Sequence, residues 1–321
     1  MVLNVVLLIL GMALLVKGAD WFVDGSKEIA AALKIPPLVI GLTLVSMGTS
    51  APEASVSIFS AVNGLNDMSL GNVVGSNIFN TLLILGVSSV IVPLSIGRDI
   101  KRYDIPCMLF AYVILILFAF VITPYRLDVF ESAALLVIFA AYTVFLIVRS
   151  KRAAKALPVS VSAQNAETAK KKFPLWLSII LAALGLAGII FGGDIVVDNA
   201  SEIAKSLGMS ETLVGLTIVA VGTSLPELVT SIVASLKKEN DIAVGNVIGS
   251  NIFNAVFILG LSSSINNLVL DGSALVDMLV MLGSGVLIMI IALFSKKMTR
   301  WQGAIAALMY IGYLAFIIVR N

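Results

Sequence analysis

The feature that most constrains this chain is an internal repeat that places a carboxylate twice inside a long apolar run. The first copy reads GLTLVSMGTSAPEASVS over Gly41–Ser57, and the second reads GLTIVAVGTSLPELVTS over Gly215–Ser231, with 10 of 17 positions identical. Polar boxes in hydrophobic helices often do no more than hold helices together. Glu53 and Glu227, however, would each lie in mid-membrane, where a carboxylate is costly. A repeated carboxylate of this kind indicates an ion pathway.

The composition excludes an ordinary soluble domain. Mean hydropathy is +1.07, 59% of the residues are hydrophobic and only 12% are charged, which is typical of a polytopic membrane protein. The chain has one cysteine and no histidine. It can therefore form neither an intrachain disulfide nor a cysteine metal cluster, and it lacks the histidine of common catalytic triads and zinc sites. We expect no cofactor and no enzymatic activity.

Apolar stretches long enough to cross a bilayer at about 20 residues each predict an all-α membrane protein with ten transmembrane helices. The predicted spans are 2–25, 37–62, 69–92, 104–123, 128–148, 174–198, 210–235, 243–265, 273–294 and 301–319. The first span is expected to continue as an amphipathic helix to about Ala32.

A polar segment divides these spans into two sets of five. We therefore predict a first five-helix repeat at 1–148, a linker at 149–173 and a second five-helix repeat at 174–321. The same shift of 174 residues aligns Leu7–Leu33 with Leu181–Leu207 without a gap. Because five is odd, the second half must enter the membrane in the opposite orientation, so we expect two inverted repeats.

Basic residues predict the orientation of the spans. In the ten-span arrangement 16 lysines and arginines fall on one side, including those of the linker, and three fall on the other. Such an excess marks the cytoplasmic side. We therefore expect a multi-pass protein of the cell membrane, with the linker from Arg149 to Lys172 in the cytoplasm and both termini outside.

Each repeated box would form a polar stripe on one helix. At 100° per residue the four polar or small positions of each box lie within about 100° of one another: Ser46, Thr49, Ser50 and Glu53 in the first copy, and Ala220, Thr223, Ser224 and Glu227 in the second. Pro52 and Pro226 have no N–H, so the carbonyl groups of Gly48 and Gly222 lose their helical donors. A proline kink with back-bonded hydroxyls is the structural alternative, but it leaves the two carboxylates unexplained.

A second repeated stretch adds amides and hydroxyls. GNVVGSNIFN begins at Gly71 and GNVIGSNIFN at Gly245, with 9 of 10 positions identical. Its glycine pairs, Gly71 with Gly75 and Gly245 with Gly249, favour close helix packing. The side chains expected to face the same cavity, four residues apart on one helix face, are Ser76, Asn80, Ser250 and Asn254. For Asn77 and Asn251 the sequence leaves cavity lining and interhelical bonding equally open.

Carboxylates, hydroxyls and carbonyls are the ligands of hard cations. Two carboxylates balance one Ca²⁺, or they could be shared by several Na⁺ at overlapping sites. Mg²⁺ is a weaker candidate because it dehydrates reluctantly, and soft metals lack their cysteine and histidine ligands. Competition between Na⁺ and Ca²⁺ for one set of oxygens would itself produce antiport.

At these motifs the sequence resembles the calcium/cation antiporter superfamily, and within it the prokaryotic sodium/calcium exchangers. The resemblance covers essentially the whole chain and implies alternating access, in which the first and sixth helices slide across a core of eight. It implies a Ca²⁺ site at Thr49, Glu53, Thr223 and Glu227. It implies flanking Na⁺ sites at Ser50, Ser76, Ser224 and Ser250 with the same glutamates, carbonyl ligands at Ser46 and Ala220, and Asn80 and Asn254 at the border of the central pocket.

One position departs from part of that superfamily. Asn254 stands where some members, potassium-dependent exchangers among them, carry aspartate, so the resemblance argues against K⁺ co-transport here. The GNxxE pattern of proton-coupled relatives is also missing, which leaves H⁺/Ca²⁺ exchange as the alternative within the class.

The alternatives outside the class are weaker. A cation channel could use the same carboxylates, but repeats with broken helices favour a transporter. The expected partners are Ca²⁺, Na⁺ and the lipid bilayer, with no nucleic acid. The oligomeric state stays open, a monomer included.

Overall fold

The computed structural model describes residues 1–156, 173–209, 218, 220–270 and 272–320. Within these ranges the chain is helical apart from short turns and four two-residue strands. The helices are α1 Val2–Leu33, α2 Pro37–Thr49, α3 Ala51–Val62, α4 Asn66–Ile91, α5 Ile100–Ile122, α6 Val129–Ala156, α7 Leu175–Ser206, α8 Leu225–Leu236, α9 Asn240–Ile265, α10 Gly272–Phe294 and α11 Arg300–Arg320. A single helical turn, Ala220–Gly222, precedes α8.

Eight of these helices are long and apolar enough to cross a bilayer, so the prediction of an all-helical membrane protein is confirmed. The second predicted span is not one helix but two, α2 and α3. Of the seventh predicted span, most of residues 210–219 lie outside the described part of the chain, and α8 forms its second portion.

One helix boundary agrees with the prediction and another differs from it. Helix α1 runs unbroken to Leu33, which confirms the expected extension of the first span. Helix α6 continues to Ala156, beyond the predicted end of the fifth span at 148, and Arg149 on it has a buried partner. The remainder of the predicted linker, residues 157–172, is outside the described ranges.

Helices α1 and α7 pack against each other as a tight antiparallel pair. Gly11 lies against Ile195, and Gly25 lies against Ala182 near the other end. At the centre a Cβ on Gly18 would come within 2.7 Å of the carbonyl oxygen of Gly185. Only glycine allows two helix backbones to approach this closely.

Burial separates central helices from peripheral ones. The buried share of the apolar 18-residue stretch of each helix is 94% in α9 and 72% in α4, but only 22% in α1 and 17% in α11. Large apolar side chains on α1 and α11, such as Ile9 and Leu308, point outward. Helices α4 and α9 therefore form the centre of the molecule, and α1 and α11 present apolar surface to lipid.

Two short ribbons join the halves. Strand β1, Leu94–Ser95, pairs antiparallel with β4, Lys297–Met298, and β2, Arg126–Leu127, pairs antiparallel with β3, Leu268–Val269. Each ribbon takes one strand from either half. The 174-residue shift carries Leu94 to Leu268, so β1 and β3 are equivalent, whereas it carries Arg126 of β2 three residues beyond Lys297 of β4.

A buried ion pair joins α5 to α6. Arg149 Nη1 lies 2.6 Å from Asp104 Oδ1, and the Asp104 side chain is fully buried. Replacing Arg149 with Met would leave that carboxyl group without its partner, a loss of about 1–3 kcal/mol for a buried polar group. We expect a lower melting temperature in detergent for this variant. The matched control is Lys151→Met, at an exposed position on the same helix. Equal melting temperatures for the two variants would contradict the assignment.

Candidate functional site

Both carboxylates lie immediately after a helix break. Helix α2 ends at Thr49 and α3 begins at Ala51, so Glu53 falls in the first turn of α3. Glu227 occupies the same place in the first turn of α8. The prolines predicted to free a carbonyl group occupy the first turns, where the missing N–H disrupts no helical bond. The boxes thus form interrupted helices, and each carboxylate is near the positive end of a helix dipole.

The two boxes contact each other through their serines. Ser50 Oγ donates a hydrogen bond of 2.7 Å to Glu227 Oε1, and Ser224 Oγ donates one of 2.9 Å to Glu53 Oε1. Ser224 Oγ is also 3.1 Å from Ser76 Oγ. All five side chains are buried. The structure therefore brings the two halves together at the predicted residues, with the serine of each half on the carboxylate of the other.

Several buried polar atoms in this cluster have no hydrogen-bond partner among the described residues. They are Glu53 Oε2, Glu227 Oε2, Asn80 Oδ1, and both Oδ1 and Nδ2 of Asn254. A carboxylate oxygen without a donor is costly in an apolar interior unless a cation binds it. The four oxygens among these atoms are hard ligands. The donor set therefore fits Na⁺ or Ca²⁺.

The asparagines lie in widened turns of the central helices. Asn80 belongs to the π-helical segment Phe79–Ile84 of α4, and Asn254 to the equivalent segment Phe253–Ile258 of α9. Such π-turns are frequent at functional sites. Another π-segment, Gly41–Val45 in α2, forms the beginning of the first repeated box.

The remaining predicted ligands lie in the same region. Thr49 Oγ1 is 3.1 Å from Asn246 Oδ1, and Thr223 Oγ1 is 3.5 Å from Asn72 Oδ1. Ser250 Oγ donates to the carbonyl oxygen of Ser46 at 3.4 Å. Ala220 begins the helical turn before the second break.

Asn77 and Asn251, for which the sequence left cavity lining and interhelical bonding open, make interhelical hydrogen bonds. Asn77 Nδ2 donates to the Asn251 carbonyl oxygen at 3.2 Å, and Asn251 Nδ2 donates to Thr81 Oγ1 at 2.8 Å. Asn251 Oδ1 also accepts a hydrogen bond from Asn80 Nδ2. Asn77 and Asn251 join α4 to α9, and Asn251 also holds Asn80 in place.

The glycine prediction is confirmed in one of the two copies. A Cβ on Gly245 would lie 3.1 Å from Gly41 Cα, and one on Gly249 would lie 2.6 Å from Ser46 Oγ. These glycines let α9 approach α2. Gly71 and Gly75 have no such neighbour within the described residues, and the segment equivalent to Gly41 lies outside them.

Asn72 and Asn246 were missed as functional candidates. Asn72 Nδ2 donates to the carbonyl oxygen of Glu53 at 3.1 Å, and Asn246 Nδ2 to that of Glu227 at 3.4 Å. The spacing in the sequence indicates such a role for Asn72, which lies four residues before Ser76. Asn72 therefore extends the polar helix face that continues to Asn80.

The cluster is closed and carries little charge. Glu53, Glu227, Thr49, Asn80 and Asn254 each have 0% exposure. Among the described residues no group of three or more His, Cys, Asp and Glu side chains could hold a metal ion. The arrangement is thus a pair of carboxylates surrounded by neutral oxygens and shielded from water, which suits partly or fully dehydrated cations.

Comparisons with known proteins agree with this chemistry. A family model described as sodium/calcium exchanger protein matches residues 3–148 and 177–319. The putative antiporter CaxA of Alkalimonas amylolytica is 36% identical over 317 residues, which is 98% of this chain and 98% of that protein. The sodium/calcium exchanger MaX1 of Methanosarcina acetivorans is 32% identical over 340 residues, with 97% of each covered.

A solved structure has the same fold. The sodium-calcium exchanger NCX_Mj, soaked with zero Na⁺ and Ca²⁺, superposes with a TM-score of 0.84 at 30% identity, over 98% of this chain and 99% of that one. These matches cover both repeats and identify a cation/Ca²⁺ antiporter of prokaryotic type. The chain belongs to the sodium/calcium exchanger protein family.

Proposed function

We propose that this protein exchanges Na⁺ for Ca²⁺ by alternating access, with Glu53 and Glu227 as the central ligands shared by both ions. The observation that carries the proposal is the pair of buried oxygens, Glu53 Oε2 and Glu227 Oε2, that have no donor among the described residues. Two such oxygens placed together would repel each other without a cation. With a cation between them they become ligands.

The neutral oxygens divide between the ions in this proposal. Ca²⁺ takes the glutamates with the hydroxyls of Thr49 and Thr223. Na⁺ takes the serine hydroxyls around them, Ser50, Ser76, Ser224 and Ser250, with the carbonyl oxygens of Ser46 and Ala220. Support comes from the hydrogen bonds Ser50–Glu227 and Ser224–Glu53, since each serine already touches a carboxylate that it would share with an ion.

Two inverted five-helix repeats, placed in the cell membrane with the linker cytoplasmic, belong to the same proposal. The reciprocal serine contacts, and the two ribbons that each pair one strand from either half, support a pseudo-two-fold relation between the halves. The tight α1–α7 pair supports a moving unit that slides on the remaining helices, because its glycine contacts hold the two helices together. The closed cluster supports alternating access over an open pore.

The experiment is ⁴⁵Ca²⁺ uptake into liposomes that contain the purified full-length protein, loaded with Na⁺ and diluted into Na⁺-free buffer. Uptake should require internal Na⁺ and should stop when K⁺ replaces it. Uptake driven equally well by a pH gradient would replace Na⁺ coupling with H⁺ coupling. Uptake without any counter-ion would mean that the protein is a channel.

Potassium gives a second prediction. An amide at Asn254 adds no negative charge, so wild-type exchange should not depend on K⁺. Asn254→Asp would place a third carboxylate beside the buried pair, and we expect it to raise cation affinity, with a lower half-saturating Na⁺ concentration or a new K⁺ dependence. The measurement is Na⁺-driven ⁴⁵Ca²⁺ uptake over a range of Na⁺ and K⁺ concentrations. If neither parameter changes, Asn254 is not at the ion site.

A further inference from the structure

Asn72 and Asn246 each connect the carboxylate helix of one half to a threonine of the other. The Nδ2 of Asn246 donates to the Glu227 carbonyl oxygen at 3.4 Å and to Ser231 Oγ at 3.0 Å. Its Oδ1 is 3.1 Å from Thr49 Oγ1, across the interface between the halves. Asn246 is fully buried, so no water competes for these bonds.

Asn72 repeats this arrangement in the first half. Its Nδ2 donates to the Glu53 carbonyl oxygen at 3.1 Å and to Ser57 Oγ at 2.9 Å, and its Oδ1 is 3.5 Å from Thr223 Oγ1. The donor and acceptor atoms have the same roles in both copies. The same hydrogen-bond arrangement therefore occurs at both positions that the repeat relates.

The arrangement controls where the hydrogen of the threonine hydroxyl points. A hydroxyl has one hydrogen and two lone pairs, and only the lone pairs can bind a cation. The amide oxygen of asparagine accepts that hydrogen because its own Nδ2 is already engaged on the other side. Among the described residues Thr49 Oγ1 also lies 3.3 Å from the Ser46 carbonyl oxygen, which is farther away than Asn246 Oδ1.

We infer that Asn72 and Asn246 are positioning residues for Ca²⁺, which hold the hydroxyl hydrogens of Thr223 and Thr49 away from the ion and so direct lone pairs toward it. The inference rests on the proposed function, in which both threonines are Ca²⁺ ligands. Outer partners of this kind typically account for 10–100-fold in metal affinity. The same asparagines fix the first turns of α3 and α8, which carry the glutamates.

A purely structural role is the competing explanation, because buried asparagines also hold helices together. Asn77 does this without touching either threonine: its Nδ2 bonds to the Asn251 carbonyl oxygen and to Met281 Sδ. Asn77→Leu is therefore the matched control. It removes a buried amide of the same type from the same helix as Asn72 and leaves the threonines untouched.

The test is a double-mutant cycle on Ca²⁺ binding, measured by calorimetry on the purified full-length protein, with Na⁺-driven ⁴⁵Ca²⁺ uptake measured in parallel. Asn246→Leu and Thr49→Val should each raise the Ca²⁺ Kd about 10-fold or more. The Ca²⁺ Kd of the double variant should lie within about twofold of the Kd of the single variant that binds Ca²⁺ less tightly. The two effects should not add, because these residues act through each other. The half-saturating Na⁺ concentration should change less than the Ca²⁺ Kd.

Two outcomes would overturn the inference. One is a double variant whose Kd change is the product of the two single changes, and the other is an Asn77→Leu variant that weakens Ca²⁺ binding as much as Asn246→Leu does. Failure of the proposed function looks different. In that case the wild-type protein binds Ca²⁺ but its uptake does not respond to Na⁺, while the cycle still reports on the asparagines. A wild-type protein that does not bind Ca²⁺ at all would refute both.

Discussion

Glu53→Gln and Glu227→Gln should each abolish Na⁺-driven ⁴⁵Ca²⁺ uptake into liposomes. Either change removes one of the two negative charges of the cluster and turns a ligand oxygen into an amide, whose NH₂ group repels a cation. Loss of one member of a buried charge pair costs about 3–5 kcal/mol, which corresponds to roughly 100- to 4,000-fold in cation affinity at 1.4 kcal/mol per tenfold. Uptake at micromolar Ca²⁺ would then be undetectable.

The control is Asp67→Asn, which makes the same chemical change at an exposed carboxylate in the first turn of α4. This variant should transport at the wild-type rate. Stability provides an independent readout, because a ligand that binds only the folded state raises the melting temperature. Ca²⁺ should stabilise the wild-type protein and Asp67→Asn, but neither glutamine variant. Uptake near the wild-type level in either glutamine variant would remove that carboxylate from the ion site.

The glutamine variants also test whether the carboxylates oppose folding when no ion is bound. In buffer without Na⁺ and Ca²⁺, Glu53 Oε2 and Glu227 Oε2 are buried without a hydrogen-bond partner among the described residues. Burial of this kind destabilises the closed structure. Removing one charge should then leave the melting temperature unchanged or raise it, although transport is lost. A variant that unfolds in ion-free buffer would instead show that the carboxylate supports the fold through its serine.

Much of this site could be predicted from the repeat. Two copies of one pattern in a chain of two halves predict that equivalent residues meet, and the Ser50–Glu227 and Ser224–Glu53 bonds place them together. Proline marked the start of the helix after each interruption for a local reason, because its fixed φ and missing N–H suit the first turn. Whether these residues bind Ca²⁺ and Na⁺ stays a prediction until it is measured.

Other features depend on tertiary packing and could not be read from one sequence. The π-segments at Phe79–Ile84 and Phe253–Ile258 have no distinct local signal, because their extra residue is accommodated by neighbouring helices. Asn72 had the spacing of a site residue, but its partner Thr223 lies 151 positions away. The predicted fifth span ends at 148 because charge in the sequence suggested a linker, whereas helix α6 continues and Arg149 binds Asp104 on another helix.

Gly185→Leu should prevent α1 and α7 from pairing. Already a Cβ at this position would lie 2.5 Å from the Phe22 backbone nitrogen and 2.7 Å from the Gly18 carbonyl oxygen, and a backbone cannot move aside as a flexible side chain can. Overpacking typically costs about 1–3 kcal/mol and occasionally more, and a full leucine side chain would force the helices apart. We expect little monodisperse protein after purification and no uptake. Gly185→Ala should give an intermediate result, a lower melting temperature with slower uptake.

Gly312 provides the matched control, because a Cβ there meets nothing within 4 Å among the described residues. Gly312→Ala should even stabilise α11 slightly, since alanine is favoured over glycine in a helix by about 1 kcal/mol. The comparison separates helix propensity from packing: both alanine variants gain the same propensity, and only Gly185→Ala meets a backbone. If Gly185→Ala melts at or above the wild-type temperature and transports normally, the two helices do not need their close contact for folding or transport.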